Sequence, residues 1–181
     1  MRARGATYEE IAARGGGIRS TVSKTRAATE DQLLEQSLKH AKWFIRCGTT
    51  TVEAKSGYGL SVDGETKILR VVRRLNKETP IEFVSTFLGA HAIPEEFLSE
   101  PDRYANLVIN EMLPRIADEG LAEFCDVFCE QGYFGVETSR KILMGKISIE
   151  SVVSGLDSPQ SRLLAYEMAR AVCEAGGSIT A

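Results

Sequence analysis

Apolar residues along this chain recur with two alternating periods. Leu34, Leu38, Ala41 and Ile45 fall three and four apart, one stripe over about four helical turns. Thr29-Glu30-Asp31-Gln32 ahead of them fits a capping box, and Gly48 is placed to end the helix. The period then changes. Residues 49–55 are short and rich in β-branched side chains, which predicts a buried strand. Residues 56–60 form a loop with two glycines, and a helix follows with Ile68, Val71, Val72 and Leu75 on one face until Thr79-Pro80 breaks it. Residues 81–86 predict a second strand running into a loop at 88–94. A helix over about 102–118 turns Ile109, Leu113 and Ile116 inward, with Pro114 kinking it. Residues 124–130 predict a third strand and 137–144 a helix. Upstream, Thr7-Tyr8-Glu9-Glu10 fits a second capping box, so a short helix is expected over 8–14, stopped by Gly15-Gly16-Gly17.

Strand, loop and helix thus repeat about three times, with roughly 30 to 45 residues per unit, the signature of parallel strands joined by crossover helices. The fold class is α/β. An open doubly wound sheet and part of a (β/α)8 TIM-type barrel both satisfy the pattern. No G-x-G-x-x-G follows a strand, which weakens the dinucleotide form of the open sheet. The preferred reading is a partial barrel of three to four β/α units over residues 1–144, with 145–181 a separate C-terminal segment. Barrel chemistry sits on the loops after the strands, and those loops carry Lys55, Tyr58, His91 and Glu130.

Composition narrows the class. Apolar residues make up 43% and charged residues 26% of 181, enough for a core and against disorder. A net charge of −3 with Lys and Arg scattered among Asp and Glu argues against a nucleic-acid partner. No apolar run approaches the roughly 18 residues that cross a bilayer, and the N-terminal residues hold no signal-peptide core. The first element begins close to Met1, so the natural fold is expected to start earlier. Cys125 and Cys129 sit four apart in a strand-like segment, about 13 Å along an extended chain and too far for a disulfide. With Cys47 and Cys173 they read as reduced thiols in a cytoplasmic protein.

Candidate chemistry is sparse. Of two histidines, His40 lies on a helix, solvated or half-buried, whereas His91 follows Gly-Ala at a strand end. His91 reads equally as a structural loop residue or a ligand contact. Tyr58 lies between glycines, which leave its hydroxyl free to reach a ligand or its ring free to pack over the loop. Lys55 fits a Schiff-base lysine, a carboxylated metal ligand, or a strand-end lysine capped by a carboxylate. Glu130 fits a general base or a partner of Lys55. A catalytic metal needs about three converging ligands, and no H-x-H occurs. The residues alone stop at a β/α protein with a candidate anionic or polar ligand site.

Read in order, the loops say more. Gly5-Ala6-Thr7-Tyr8-Glu9-Glu10-Ile11, Gly15-Gly16-Gly17-Ile18 with Ser20-Thr21-Val22 and Thr25-Arg26, Val52-Glu53-Ala54-Lys55-Ser56-Gly57-Tyr58-Gly59-Leu60, Gly89-Ala90-His91-Ala92 with Pro94, and Asp126-Val127-Phe128-Cys129-Glu130 occur in succession. This series resembles the middle of the imidazolonepropionase family of amidohydrolases, over about residues 4–143. The resemblance implies a metal-dependent hydrolase barrel with a small β domain built from the two chain ends. It implies opening of 4-imidazolone-5-propanoate to N-formimidoyl-L-glutamate in histidine degradation, with zinc or iron activating water. Tyr58 and His91 match the family's substrate-binding tyrosine and histidine; a role for Tyr8 is a weaker carry-over. The family's H-x-H pair and a substrate-binding arginine lie upstream of the Gly5–Tyr8 region. A further metal histidine is due after the helix holding Ser139 to Leu143, and a last aspartate beyond it. No histidine follows His91 through Ala181. The expectation is therefore no competent metal site, negligible turnover and no identifiable catalytic residue. Two rivals stand beside it: a metal-free enzyme using Lys55 as a Schiff base, and a non-catalytic half-barrel that associates with itself or another chain, as open sheet edges favour.

Overall fold

In the computed structural model, residues 18–130 and 132–144 are described, all within one compact unit, Met1–Met144. The expected helix over 8–14, its glycine stop and the whole of 145–181 lie outside the described residues. Three parallel strands, β1 (Thr51–Lys55), β2 (Glu82–Ala90) and β3 (Phe124–Val127), form a sheet in the order β1-β2-β3. Helices α1 (Ile18–Ala27) and α2 (Glu30–Arg46) precede it. Helix α3 (Val62–Glu78) crosses from β1 to β2, α4 (Pro101–Leu107) and α5 (Leu113–Asp118) cross from β2 to β3, and α6 (Val136–Leu143) follows.

Each predicted α/β unit is present, with instructive shifts. The Thr29 box forms as expected: its side chain takes the Gln32 N–H while the Gln32 side chain takes the Thr29 N–H. Gly48 adopts φ +78° just beyond the α2 cap at Cys47. Leu34 and Ala41 are buried, but Ile45, on the last turn of α2, is exposed. α1 was not legible from periodicity, since Val22 is its one buried residue. The crossover over 101–118 is not a kinked α-helix. A π-turn at Val108–Met112 separates α4 from α5, and the widened turn lets Pro114 sit in a continuing helix without its ring striking a carbonyl one turn back.

The helix side of the sheet is the core. Leu34 and Ala41 of α2 and Val71, Val72 and Leu75 of α3 pack on Ile81 and Phe83, with Val52 and Ala54 against them. β1 was expected to be buried. Instead Thr51, Glu53 and Lys55 are exposed, and Val52 and Ala54 only half-buried, because the strand has a β neighbour on one side and helices on one face. β2 runs four residues further than expected, through Phe87-Leu88-Gly89-Ala90. It also carries an irregularity. Phe87 pairs with Cys125 but Ala90 with Val127, three steps against two, the count of a bulge. The Gly89 carbonyl there accepts from the buried Tyr104 hydroxyl at 2.7 Å. β3 is shorter than expected, and Cys129 instead bridges Phe134.

Truncating Leu75 to alanine removes a side chain at the centre of this helix–sheet layer. The expected cost is about 2–5 kcal/mol of unfolding free energy, read from denaturant titration of the full chain; a cost below about 1 kcal/mol would contradict the packing described.

Candidate functional site

The candidate side chains gather at the carboxyl ends of the three strands. Ser56 begins the loop after β1 by extending the ladder, its N–H on the Thr86 carbonyl at 3.0 Å, while its hydroxyl accepts the Leu88 N–H at 2.9 Å. Gly57 then takes φ +96°, and a Cβ there would lie 2.7 Å from the Leu88 carbonyl and 3.0 Å from the His91 Cβ. Only glycine satisfies both demands. The close approach lets the Gly57 carbonyl meet His91 Nδ1 at 2.9 Å. A carbonyl oxygen only accepts, so Nδ1 carries the proton, and a neutral His91 presents an Nε2 lone pair.

Tyr58 projects from the next position, 38% exposed. Its ring stands edge-on to His91, centroids 5.0 Å apart at 89°. The Phe128 N–H on the Ala90 carbonyl at 2.9 Å continues the β2–β3 pairing past the strands. Phe128 thereby comes beside His91, rings 5.8 Å apart, and Tyr133 meets Phe128 at 5.0 Å. A row of four rings results, polar at Tyr58, His91 and Tyr133 and apolar at Phe128. The two expected substrate contacts, Tyr58 and His91, are brought together.

Below the row, on the face of the sheet away from α2 and α3, Lys55 binds Asp126 at 2.6 Å and Glu53 at 3.5 Å, and the Thr86 hydroxyl donates to Glu53 at 2.8 Å. The hydrogen bond that the Lys55 ammonium donates to Asp126 raises it above its usual pKa. Burial pushes the Asp126 carboxyl upward, but the Lys55 hydrogen bond and the Val127 N–H outweigh it and leave it below 3.8. A Schiff-base nucleophile needs a lowered, not a raised, amine, so that role for Lys55 is not supported; of its three readings, the carboxylate-paired lysine stands. The partners found for it are Asp126 and Glu53, and Glu130 is exposed. Burial pushes the Cys125 thiol up to about 12, away from thiolate chemistry. Among the described residues no three His, Cys, Asp or Glu side chains gather to hold a metal. The donor set in hand does not fit zinc or iron.

Periodicity missed Glu65. It occupies the i, i+4, i+7 stripe with Leu69 and Val72, all on the buried face of α3. A carboxylate on an apolar stripe directly after a glycine loop was the available signal. Arg26, quoted only within a motif, also reaches this loop, donating to the Gly59 and Leu60 carbonyls at 2.6 and 2.9 Å. Phe128 and Asp126 lay within a quoted motif without an assigned role.

Fold and site together define an α/β protein with an aromatic, hydrogen-bonding cluster at the carboxyl ends of parallel strands. No family model matches the chain. It is 54% identical over 149 residues to the imidazolonepropionase of Solibacter usitatus (strain Ellin6076), covering 82% of this chain and 36% of that protein. It is 53% identical over 143 residues to that of Syntrophobacter fumaroxidans (strain DSM 10017 / MPOB), covering 79% and 34%. With the one from Shouchella clausii (strain KSM-K16) it shares 54% over 143 residues, covering 79% and 32%. The chain belongs to the imidazolonepropionase family, and it spans about a third of the length of the curated relatives it matches.

Two outcomes follow from the geometry. The Lys55–Asp126 contribution to stability is fully present above the ordinary aspartate value of 3.8 and lost as pH falls through the lower folded value. Replacing Lys55 by methionine is expected to move the Asp126 pKa up, read by carbon-detected NMR titration, and to flatten the acid limb of stability against pH; an unmoved Asp126 would refute the pairing. Gly59→Ala places a Cβ against the Gly64 backbone and 2.6 Å from the Glu65 amide. A loss of at least about 1–3 kcal/mol is expected, measured by thermal unfolding.

Proposed function

We propose that this chain carries the substrate-contact loops of an imidazolonepropionase, which hydrolyses 4-imidazolone-5-propanoate to N-formimidoyl-L-glutamate in histidine degradation. The observation that carries the reading is the Tyr58–His91 pair, two hydrogen-bonding rings held 5.0 Å apart on neighbouring strand ends. Hydrolysis of the cyclic amide forms a carbon–oxygen bond from water and breaks the ring carbon–nitrogen bond, the nitrogen taking a proton. A zinc or iron ion is the group expected to supply activated water in such an enzyme. The chain's own part is to bind and orient. The Tyr58 hydroxyl donates to a polar atom of the heterocycle. Neutral His91, its Nδ1 proton committed to Gly57, accepts a ring N–H at Nε2; only a protonated His91 would donate to an oxyanion. Phe128 offers an apolar wall to a flat ring.

On this reading residues 1–144 are three to four units of an amidohydrolase (β/α)8 barrel, and 145–181 a segment that departs from the family pattern. Support comes from the sequential parallel order, with a helical crossover after each of the first two strands and no reversal of strand order across the three. The protein is read as cytoplasmic, with a small-molecule substrate and the capacity to self-associate. The similarity to curated imidazolonepropionases favours this over a non-catalytic half-barrel.

Imidazole-4-propanoate, a stable ring-and-carboxylate analogue, serves as the probe. The full chain is expected to bind it in calorimetry, Tyr58→Phe to weaken it by about threefold to tenfold through one lost hydrogen bond, and His91→Ala by more. Equal binding by all three proteins, or none by the parent, would sink the assignment. With His40 and His91 its only histidines, the purified chain is expected to leave imidazolone-propanoate absorbance unchanged, with or without added zinc or iron.

A further inference from the structure

The Glu65 carboxylate is fully buried and lies in no catalytic role given above. Oε2 accepts the Gly57 N–H at 2.7 Å, and Oε1 accepts those of Gly59 and Leu60 at 2.8 and 2.7 Å. Three of the four N–H groups of residues 57–60 thus converge on one side chain. The chain sets this up through shape. Leu60 holds φ +48°, and Gly59 lies so close to Gly64 that a Cβ on Gly64 would sit 2.8 Å from the Gly59 Cα. Arg26 grips the same loop through the Gly59 and Leu60 carbonyls, the first belonging to the peptide whose Leu60 N–H Glu65 accepts, and its third nitrogen lies 2.8 Å from Glu96. Lys67 fixes the end of α1 in turn, donating to the Arg26 and Ala28 carbonyls at 2.9 and 2.6 Å.

A loop of five residues with two glycines is intrinsically permissive. A ligand that met it unclamped would bear the cost of ordering it, and affinity would fall by the fraction of time spent elsewhere. We infer that Glu65 is a positioning residue for the substrate site: its carboxylate, with Arg26 as counterpart, presets the Tyr58 ring against His91 before ligand arrives. This rests on reading Tyr58 and His91 as substrate contacts. It goes further by assigning the site's order to a buried carboxylate on α3 that touches no ligand. Glutamine in its place keeps the size but turns an N–H toward at least one loop N–H, and aspartate keeps both acceptors on a shorter arm.

The test compares the full chain with Glu65→Gln, Glu65→Asp and Arg26→Ala, using imidazole-4-propanoate and NMR. The parent is expected to show a nuclear Overhauser contact between the Tyr58 and His91 rings without ligand. In Glu65→Gln that contact is expected to vanish, the Gly57, Gly59 and Leu60 amides to exchange at least about tenfold faster, and affinity to drop about tenfold or more, while Leu69 and Phe87 amides stay protected. Glu65→Asp should recover part of the affinity, which a simple loss of stability would not predict. If Glu65→Gln fails to fold, Arg26→Ala decides: a weakened ring contact and a severalfold loss of affinity support the clamp, and parental values for both overturn it. Parental ring contact and affinity in a folded Glu65→Gln protein overturn it directly. A parent chain that binds no probe while retaining the ring contact removes the substrate reading, and the positioning role with it.

Discussion

A carboxylate taken out of water must have its oxygens occupied, or it destabilises whatever surrounds it. In this chain that requirement is met by the backbone of one loop. Glu65 is buried on α3, and its acceptors are filled by the N–H groups of Gly57, Gly59 and Leu60. Each partner needs the other. Loop peptides pointing inward would be orphaned without the carboxylate, and the carboxylate would be an isolated charge without them. The glycines follow from that bargain: Gly57 because its φ is positive and His91 is close, Gly59 because the first turn of α3 lies against it.

The sheet supplies the second coordinate. Parallel pairing carries β1 along β2 as far as Thr86 and β3 as far as Ala90, and the extra residue at the end of β2 resets the pairing so that Ala90 meets Val127. His91 and Phe128, the next residues on each strand, are thereby neighbours. Tyr104 takes up the Gly89 carbonyl at this irregularity, so a displaced peptide is satisfied by the π-bearing crossover that packs beneath it. Aromatic side chains from three strand ends consequently face one another although they lie up to 75 residues apart in sequence.

Much of this was readable in advance, and what was missed has a common cause. The capping box at Thr29, the apolar stripe of α3 and the change of period at residue 49 are local patterns, and they gave the α/β alternation and its order. Tyr58 emerged because it stands between two glycines after a strand, and His91 because it follows Gly-Ala at a strand end. The errors came where tertiary context decides. β1 has the composition of a buried strand but lies at an edge with one face open. Ile45 continues the α2 stripe but takes no part in the core cluster. α1 has too few apolar positions to show a period. Glu65 was hidden because a charged residue early in a helix usually reads as a solvated dipole partner, whereas its three acceptor bonds depend on a fold-back that no spacing reveals.

Lys55 and Asp126 belong to the two outer strands and meet across the middle one, 71 residues apart in the chain. A contact of such long span is made only once both flanking strand pairs are in place. Were β3 to dock one residue out of step, Asp126 would point to the helix side and the ammonium would lose its nearest counter-charge. The bridge thus works as a proofreader of assembly, rewarding the one alignment in which the aromatic row above it can also form.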